Sequence, residues 1–140
     1  MTFLLGFSIL VAVGLFYIRL APSDPARWHK GTGQAEVIEK QGAGSYVFRA
    51  VIDADASDVL RKIDQAAMQT PRTSRFAGSV EEGQITYITR SLIFGFPDYT
   101  TVGVYGEAPQ ILEIYARLRF GRSDFGVNMR RAQAWRAVLD

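Results

Sequence analysis

The sequence predicts an α+β chain: one N-terminal transmembrane helix, then a single domain with an antiparallel sheet and two helices, the second of them C-terminal. Three observations carry this. Residues 2–18, TFLLGFSILVAVGLFYI, contain no charge. Residues 45–52 and 110–120 alternate with the period of two that puts successive side chains on opposite faces of a strand. Segments beginning near Asp55 and Met129 repeat apolar residues at the spacing of one helical face.

At about 1.5 Å of rise per residue the uncharged run spans roughly 26 Å, and Leu20 and Ala21 extend it toward the roughly 30 Å hydrocarbon core of a bilayer. Arg19, close to Pro22, is placed to snorkel its guanidinium to the headgroups and marks the membrane interface. A cleaved signal peptide is the rival. The run is longer than a usual h-region, no basic residues precede it, and Arg19-Leu20-Ala21-Pro22 has no small-x-small site, so an uncleaved anchor is expected. A buried core helix would need more polarity than Gly6, Ser8 and Gly14 supply. With Ala12, these small residues would also let a neighbouring helix approach closely.

The anchor occupies residues 1–21, a linker 22–43 and the α+β domain 44–140. The linker begins PSDPARWHK, two prolines without periodicity. Trp28 beside His29 and Lys30 suits an interfacial belt, although packing back on the domain explains it equally well. In 45–52, Tyr46, Phe48, Ala50 and Ile52 share one strand face. Asp55 then caps a helix, Asp58 reinforces its first turn, and Val59, Leu60, Ile63 and Ala67 form its apolar stripe. Pro71 in TPRTS ends it, and a loop is expected to carry Arg72 and Arg75. Strands are expected at 84–91, 99–105 and 110–120, the last joined to its predecessor by the turn at 106–109. In that last strand Leu112, Ile114, Ala116, Leu118 and Phe120 point one way, and Glu113, Tyr115, Arg117 and Arg119 form a solvated or paired face. After the loop RSDFGVN, Met129, Ala132, Trp135, Val138 and Leu139 define the C-terminal helix. The outline resembles the helix-grip or START-like architecture, in which a curved sheet wraps a terminal helix.

Composition removes several chemistries. With no cysteine, disulfides, thiolate-held clusters and Cys-based zinc sites are excluded, and the redox compartment stays open. The only histidine, His29, has no second His for a metal site or a His-based triad, so no metal, cofactor or catalytic residue is assigned. A net charge of +2 gives no argument for nucleic acid. The basic residues are thirteen Arg against three Lys, a bias that a GC-rich genome also produces. Their distribution is more informative, since residues 117–136 hold six Arg and one acid, Asp124. Arg suits planar, bidentate recognition of phosphate or carboxylate.

The densest polar pattern is Arg117-x-Arg119-x-x-Arg122-Ser123-Asp124-x-Gly126-x-Asn128, with Pro97-Asp98 upstream. Together with RLAPSDPARWH and FPDYTTV, the segment ARLRFGRSDFGVNMRR resembles the bacterial and plastid family called domain of unknown function 1499 over nearly all of the chain after the anchor. That family has no assigned reaction. The resemblance implies an anchored protein of the bacterial inner membrane with its folded part on the periplasmic side, whereas the positive-inside rule, applied to Arg19, Arg27 and Lys30, puts it in the cytoplasm. The periplasmic side is the one favoured.

Two readings of the pattern follow. In one, Asp98 and Asp124 pair with neighbouring Arg, Ser123 or Asp124 caps the terminal helix, and the glycines make a rigid corner. In the other, Arg90, Arg117, Arg119 and Arg122 converge near the start of that helix, with Asn128, to hold a lipid phosphate, a small anion or a partner's carboxylates. The leading functional expectation is a non-catalytic accessory module that docks on other subunits of a larger membrane complex, with Phe94, Phe96 and Tyr99 as interface anchors. A lipid- or small-anion-binding domain is the alternative, and a hydrolase using Asp98 or Asp124 is the third.

Overall fold

The computed structural model of the protein describes residues 1–140, apart from the side chain of Thr2. Helix α1, Thr2–Leu20, is apolar around its circumference, and none of Phe3–Leu20 is buried by the rest of the chain. It leads into the short helix α2, Pro25–Trp28, where Asp24 Oδ1 accepts from the Ala26 amide at 2.9 Å and Pro25 supplies a helix-compatible φ. The domain then runs β1 (Ile38–Gln41), β2 (Ser45–Ile52), α3 (Ala56–Gln69), β3 (Thr73–Ser79), β4 (Gln84–Arg90), β5 (Pro97–Tyr105), β6 (Gln110–Leu118) and α4 (Val127–Arg136), which closes in a 3₁₀ turn at Ala137–Leu139. The α+β class is as expected.

All six strands are antiparallel in the order β1-β2-β6-β5-β4-β3. Register puts Tyr46 opposite Ala116, and Thr100 opposite Ala116 from the other side, so the even-numbered residues of β2, β5 and β6 share one face. Helices α3 and α4 cover that face. Leu60, Ile63 and Ala67 of α3 and Ala132 and Trp135 of α4 pack on Tyr46, Ile85, Tyr87, Val102, Leu112 and Ile114. Helix α3 starts as read, with the Asp58 amide donating to Asp55 Oδ1. Trp135 lies edge-on to Tyr87, and its Nε1–H donates to Thr70 Oγ1 at 2.8 Å, so this buried indole keeps no idle donor.

Two stretches differ from expectation, and at a third one of two expected alternatives holds. The predicted loop after Pro71 is largely strand β3, with Arg75 paired to Asp64 of α3. The stretch 22–43 is no free linker, because β1 adds an edge strand to β2 and residues 21–34 lie across the open face of the sheet. The face of β6 bearing Glu113 and Arg117 is therefore paired and dry, not solvated: Glu113 is 1% and Arg117 8% exposed.

The sheet has two chemically distinct ends. Register brings the loops 42–44, 91–96 and 119–126 to one end, and there the last turn of α1 meets the domain. Tyr17 lies edge-on to Phe120, and Arg119 Nη1 donates to Pro22 O at 3.1 Å. A Cβ added to Gly95, whose φ is +70°, would sit 2.6 Å from Arg19 Nε. At the far end the connections 53–55, 80–83 and 106–109 carry Asp53, Asp55, Glu81, Glu82 and Glu107 and no Lys or Arg.

Candidate functional site

Residues 21–34 form a strap whose course is dictated by long-range hydrogen bonds, since it has no periodicity of its own. Arg117 is the central fastener. Its Nη2 donates to Trp28 O at 2.7 Å and Thr101 Oγ1 at 2.8 Å, and its Nη1 to Lys30 O at 2.9 Å. Glu113 holds the next turn, Oε1 accepting from the Thr32 amide at 2.9 Å and Oε2 accepting from the Thr32 hydroxyl. Arg49, 3% exposed, places Nε 3.3 Å from Glu113 Oε2. A lone buried carboxylate would be strongly disfavoured, and this one is matched by both a cation and two donors.

Trp28 is fixed by stacking on Tyr99, ring centroids 4.0 Å apart and planes 10° apart, and Ser23 shares a hydrogen bond with the Tyr99 hydroxyl at 2.5 Å. It is 7% exposed, which removes it from the interfacial belt. His29 packs on the sheet as well, its Nδ1 2.8 Å from Thr86 Oγ1.

Beside the strap, at the end of the sheet that α1 meets, opens a cavity of about 530 Å³. Arg27, Trp28 and Lys30 of the strap line it, with Ser45, Tyr115, Arg117, Leu118 and Arg122 and the glycines 44 and 121. Four lining residues are basic and none is acidic. The Arg117 guanidinium lies 4.3 Å from the Tyr115 ring centroid, and Arg27 is held 4.9 Å over Trp28. All hydrogen bonds of Arg117 go to neutral oxygens, and its buried Nε has no partner. Burial depresses its basicity, and the nearby Tyr115 and Glu113 oppose that only in part. Arg27, Lys30 and Arg122 are in no ion pair among the described residues. The arrangement is a cationic hollow with no carboxylate in its lining.

The other sequence candidates divide. Arg119 donates to Pro22 O and, at 3.1 Å, to the Tyr99 hydroxyl, tying the start of the strap to the sheet. Arg90 braces the 91–96 loop, Nη1 donating to Gly95 O at 3.0 Å. Neither turns toward α4, so the expected convergence of four Arg on the start of that helix is replaced by the meeting of Arg117 and Arg122 at the cavity. Ser123, Asp124 and Asn128 build the corner that launches α4. Ser123 Oγ accepts from the Phe125 amide at 3.2 Å, and Asp124 accepts from the amides of Gly126 and Asn128, both at 3.0 Å. Gly126 stands at φ +77°, where a side chain is strained.

Asp98 lies under this corner, on the helix face, 3.5 Å from Arg131, which donates to Asn128 Oδ1 at 2.9 Å. Burial pushes the Asp98 carboxyl up to about 6 despite Arg131, while burial lowers Arg131 despite Asp98. Asn128 Nδ2 and Thr100 Oγ1 are buried without partners. Among the described residues no three His, Asp or Glu side chains gather as metal ligands.

Sequence reasoning missed Arg27, Lys30 and Tyr115. The signal for the pairing was present: Arg49, Glu113 and Arg117 occupy one face of two strands, too many charges for a sheet surface unless something covers them.

Residues 26–139 match the family described as Protein of unknown function (DUF1499). No curated protein matches the chain. Among solved structures, the di-domain ARO/CYC BexL from the BE-7585A biosynthetic pathway is similar at 15% identity and a TM-score of 0.42, over 68% of this chain and 44% of that one. The present chain thus spans less than half of that di-domain protein.

Proposed function

The chain belongs to the DUF1499 family, whose description assigns no activity, and from its geometry we propose that it is a membrane-anchored module that binds a phosphate-bearing anion at headgroup level. The observation that carries this is the cavity of Arg27, Lys30, Arg117 and Arg122 with no carboxylate in its lining. Four cations around one hollow repel one another unless an anion is present, and Arg forks suit phosphate oxygens. The position of the hollow supports a lipid source, because the last turn of α1 touches the same end of the sheet. Retention of α1 as an anchor draws support from the same contacts: Ala21 is buried, and Arg119 holds the carbonyl of Pro22. The periplasmic side remains the favoured one.

The test uses the full chain in dodecyl maltoside micelles, titrated with inorganic phosphate and with short-chain phosphatidylglycerol while Trp28 fluorescence is followed in a Trp135→Phe background. Saturable binding is expected, at least tenfold weaker in Arg122→Gln. Phosphatidylglycerol binding more tightly than phosphate assigns the ligand to a lipid, and the reverse assigns it to a soluble anion. A flat response to both overturns the reading.

A second reading, the accessory module docking on other membrane subunits, is supported by α1 itself. No residue of Phe3–Leu20 is buried, only the last turn of α1 touches the domain, and space around Gly6 and Gly14 is open. Recovery of a stoichiometric partner in mild detergent is its expected outcome.

A further inference from the structure

The β4–β5 hairpin ends in Ser91-Leu92-Ile93-Phe94-Gly95-Phe96, and its tip is the most apolar exposed loop of the domain. Leu92 is 72%, Ile93 77% and Phe94 47% exposed. Such a run on a surface loop is unfavourable in water by about 25 cal/mol for each Å² of apolar area, and exposed apolar patches mark contact surfaces. We infer that residues 92–94 insert into the same leaflet that α1 enters, giving the domain a second bilayer contact.

What selects the bilayer as the occupant is continuity with α1. Gly95 lies against Arg19, the residue that ends the uncharged run. From the loop an aromatic series leads to the helix: Phe94 stacks on Phe96 at 5.5 Å, Phe96 lies 6.4 Å from Phe120, and Phe120 meets Tyr17 of α1 at 6.4 Å. The tip therefore starts at the level where α1 leaves the hydrocarbon. Aromatic residues suit that level.

Charge polarity agrees. Arg19, Arg119 and Arg122 lie at this end, while the far-end connections carry only acidic charges, so an anionic surface attracts one end and repels the other. The loop is also preformed. The Ser91 amide donates to Phe96 O at 3.0 Å, the Gly95 amide to Ser91 O at 3.2 Å and the Phe96 amide to Ser91 Oγ at 2.9 Å, and Arg90 holds Gly95 O. Little ordering entropy is lost on insertion. Fixed in this way, the basic hollow opens onto the headgroups.

The inference rests on α1 spanning the bilayer, and the experiment separates the two. The chain has no cysteine, so single-Cys variants of the full protein can be spin-labelled in phosphatidylcholine–phosphatidylglycerol vesicles and their collisions with oxygen and a water-soluble nickel complex compared. Val11→Cys reports the anchor, Ile93→Cys and Leu92→Cys the loop, and Val51→Cys, exposed near the far end of the sheet, the water reference. The expected result is labels at 11, 92 and 93 shielded from nickel at least several-fold more than at 51. A shielded label at 11 with labels at 92 and 93 as nickel-accessible as at 51 overturns the loop insertion alone. An accessible label at 11 overturns the anchor and the inference with it.

Discussion

The face of the sheet under α3 and α4 is closed by shape, and the face under the strap by hydrogen bonds. On the first, Leu60, Ile63, Ala67 and Trp135 exclude water over a continuous apolar core. On the second, Arg117 and Glu113, the latter paired with Arg49, capture backbone groups of a segment more than eighty residues away in sequence. Apolar packing is tolerant of repacking but generates no polarity. Directional bonds leave cations beside a hollow with no carboxylate in its lining. On the proposed reading recognition belongs to the strap face, while the helix face holds the apolar core.

The largest effect expected from breaking this division is on the helix face. Trp135→Ala removes a 2% exposed indole that touches Tyr87 and satisfies Thr70. It should destabilise the domain by about 3–5 kcal/mol, measured by urea unfolding in detergent. Strap and sheet should unfold together in that variant, since the strap has no core of its own. On the opposite face, Glu113→Gln leaves Arg49 as a buried cation and weakens the hold on Thr32. Removing one partner of a buried ion pair costs about 3–5 kcal/mol, and the lower end is expected because the strap can open to water. Hydrogen exchange should then accelerate at Gly31–Gln34 while the amides of α3 keep their protection. A uniform loss of protection would mean that the two covers are one cooperative unit.

The same division explains what was legible in the sequence. Strand β6 was readable because its helix-facing positions are Leu112, Ile114 and Ala116, a period that needs no tertiary knowledge. The cap of α3 at Asp55 is likewise local. Strand β1 reads IEKQ, with polar residues on both faces, and is held by pairing with β2 and by Glu39, which accepts from the Tyr46 hydroxyl and pairs with Arg136 of α4. Strand β3 was hidden by Pro71 and by a register shift between Arg75 and Ala77. The strap was hidden for a deeper reason: its order resides in Arg117 and Glu113, not in its own residues. The corner at Ser123–Asn128 could be recognised as a cap and glycine turn, whereas Arg27 and Lys30 became site candidates only once the strap was seen to fold back.

Asp98 sharpens the comparison, because it is the ionisable side chain of β5 on the face otherwise closed by apolar packing. Its carboxyl is raised from 3.8 to about 6, chiefly by burial. A raised value means the folded state keeps the proton longer than the unfolded chain, so this group's contribution is complete below about pH 4 and is lost as pH rises to about 6. Each tenfold difference in proton affinity between the folded and unfolded carboxyl is worth about 1.4 kcal/mol, so the loss amounts to about 2–3 kcal/mol. Asp64 and Glu39, lowered by hydrogen bonds from Arg75 and from Tyr46 respectively, act the opposite way, Asp64 below that window and Glu39 across its lower edge. Urea unfolding between pH 4 and 7 should therefore show stability falling with a midpoint set by this group, and carbon-13 NMR should show the Asp98 carboxyl titrating near 6. In Asp98→Asn the slope across that window should flatten. A carboxyl titrating near 4 would mean that Arg131 outweighs burial at this position, and that the helix face tolerates a charge as readily as the strap face does.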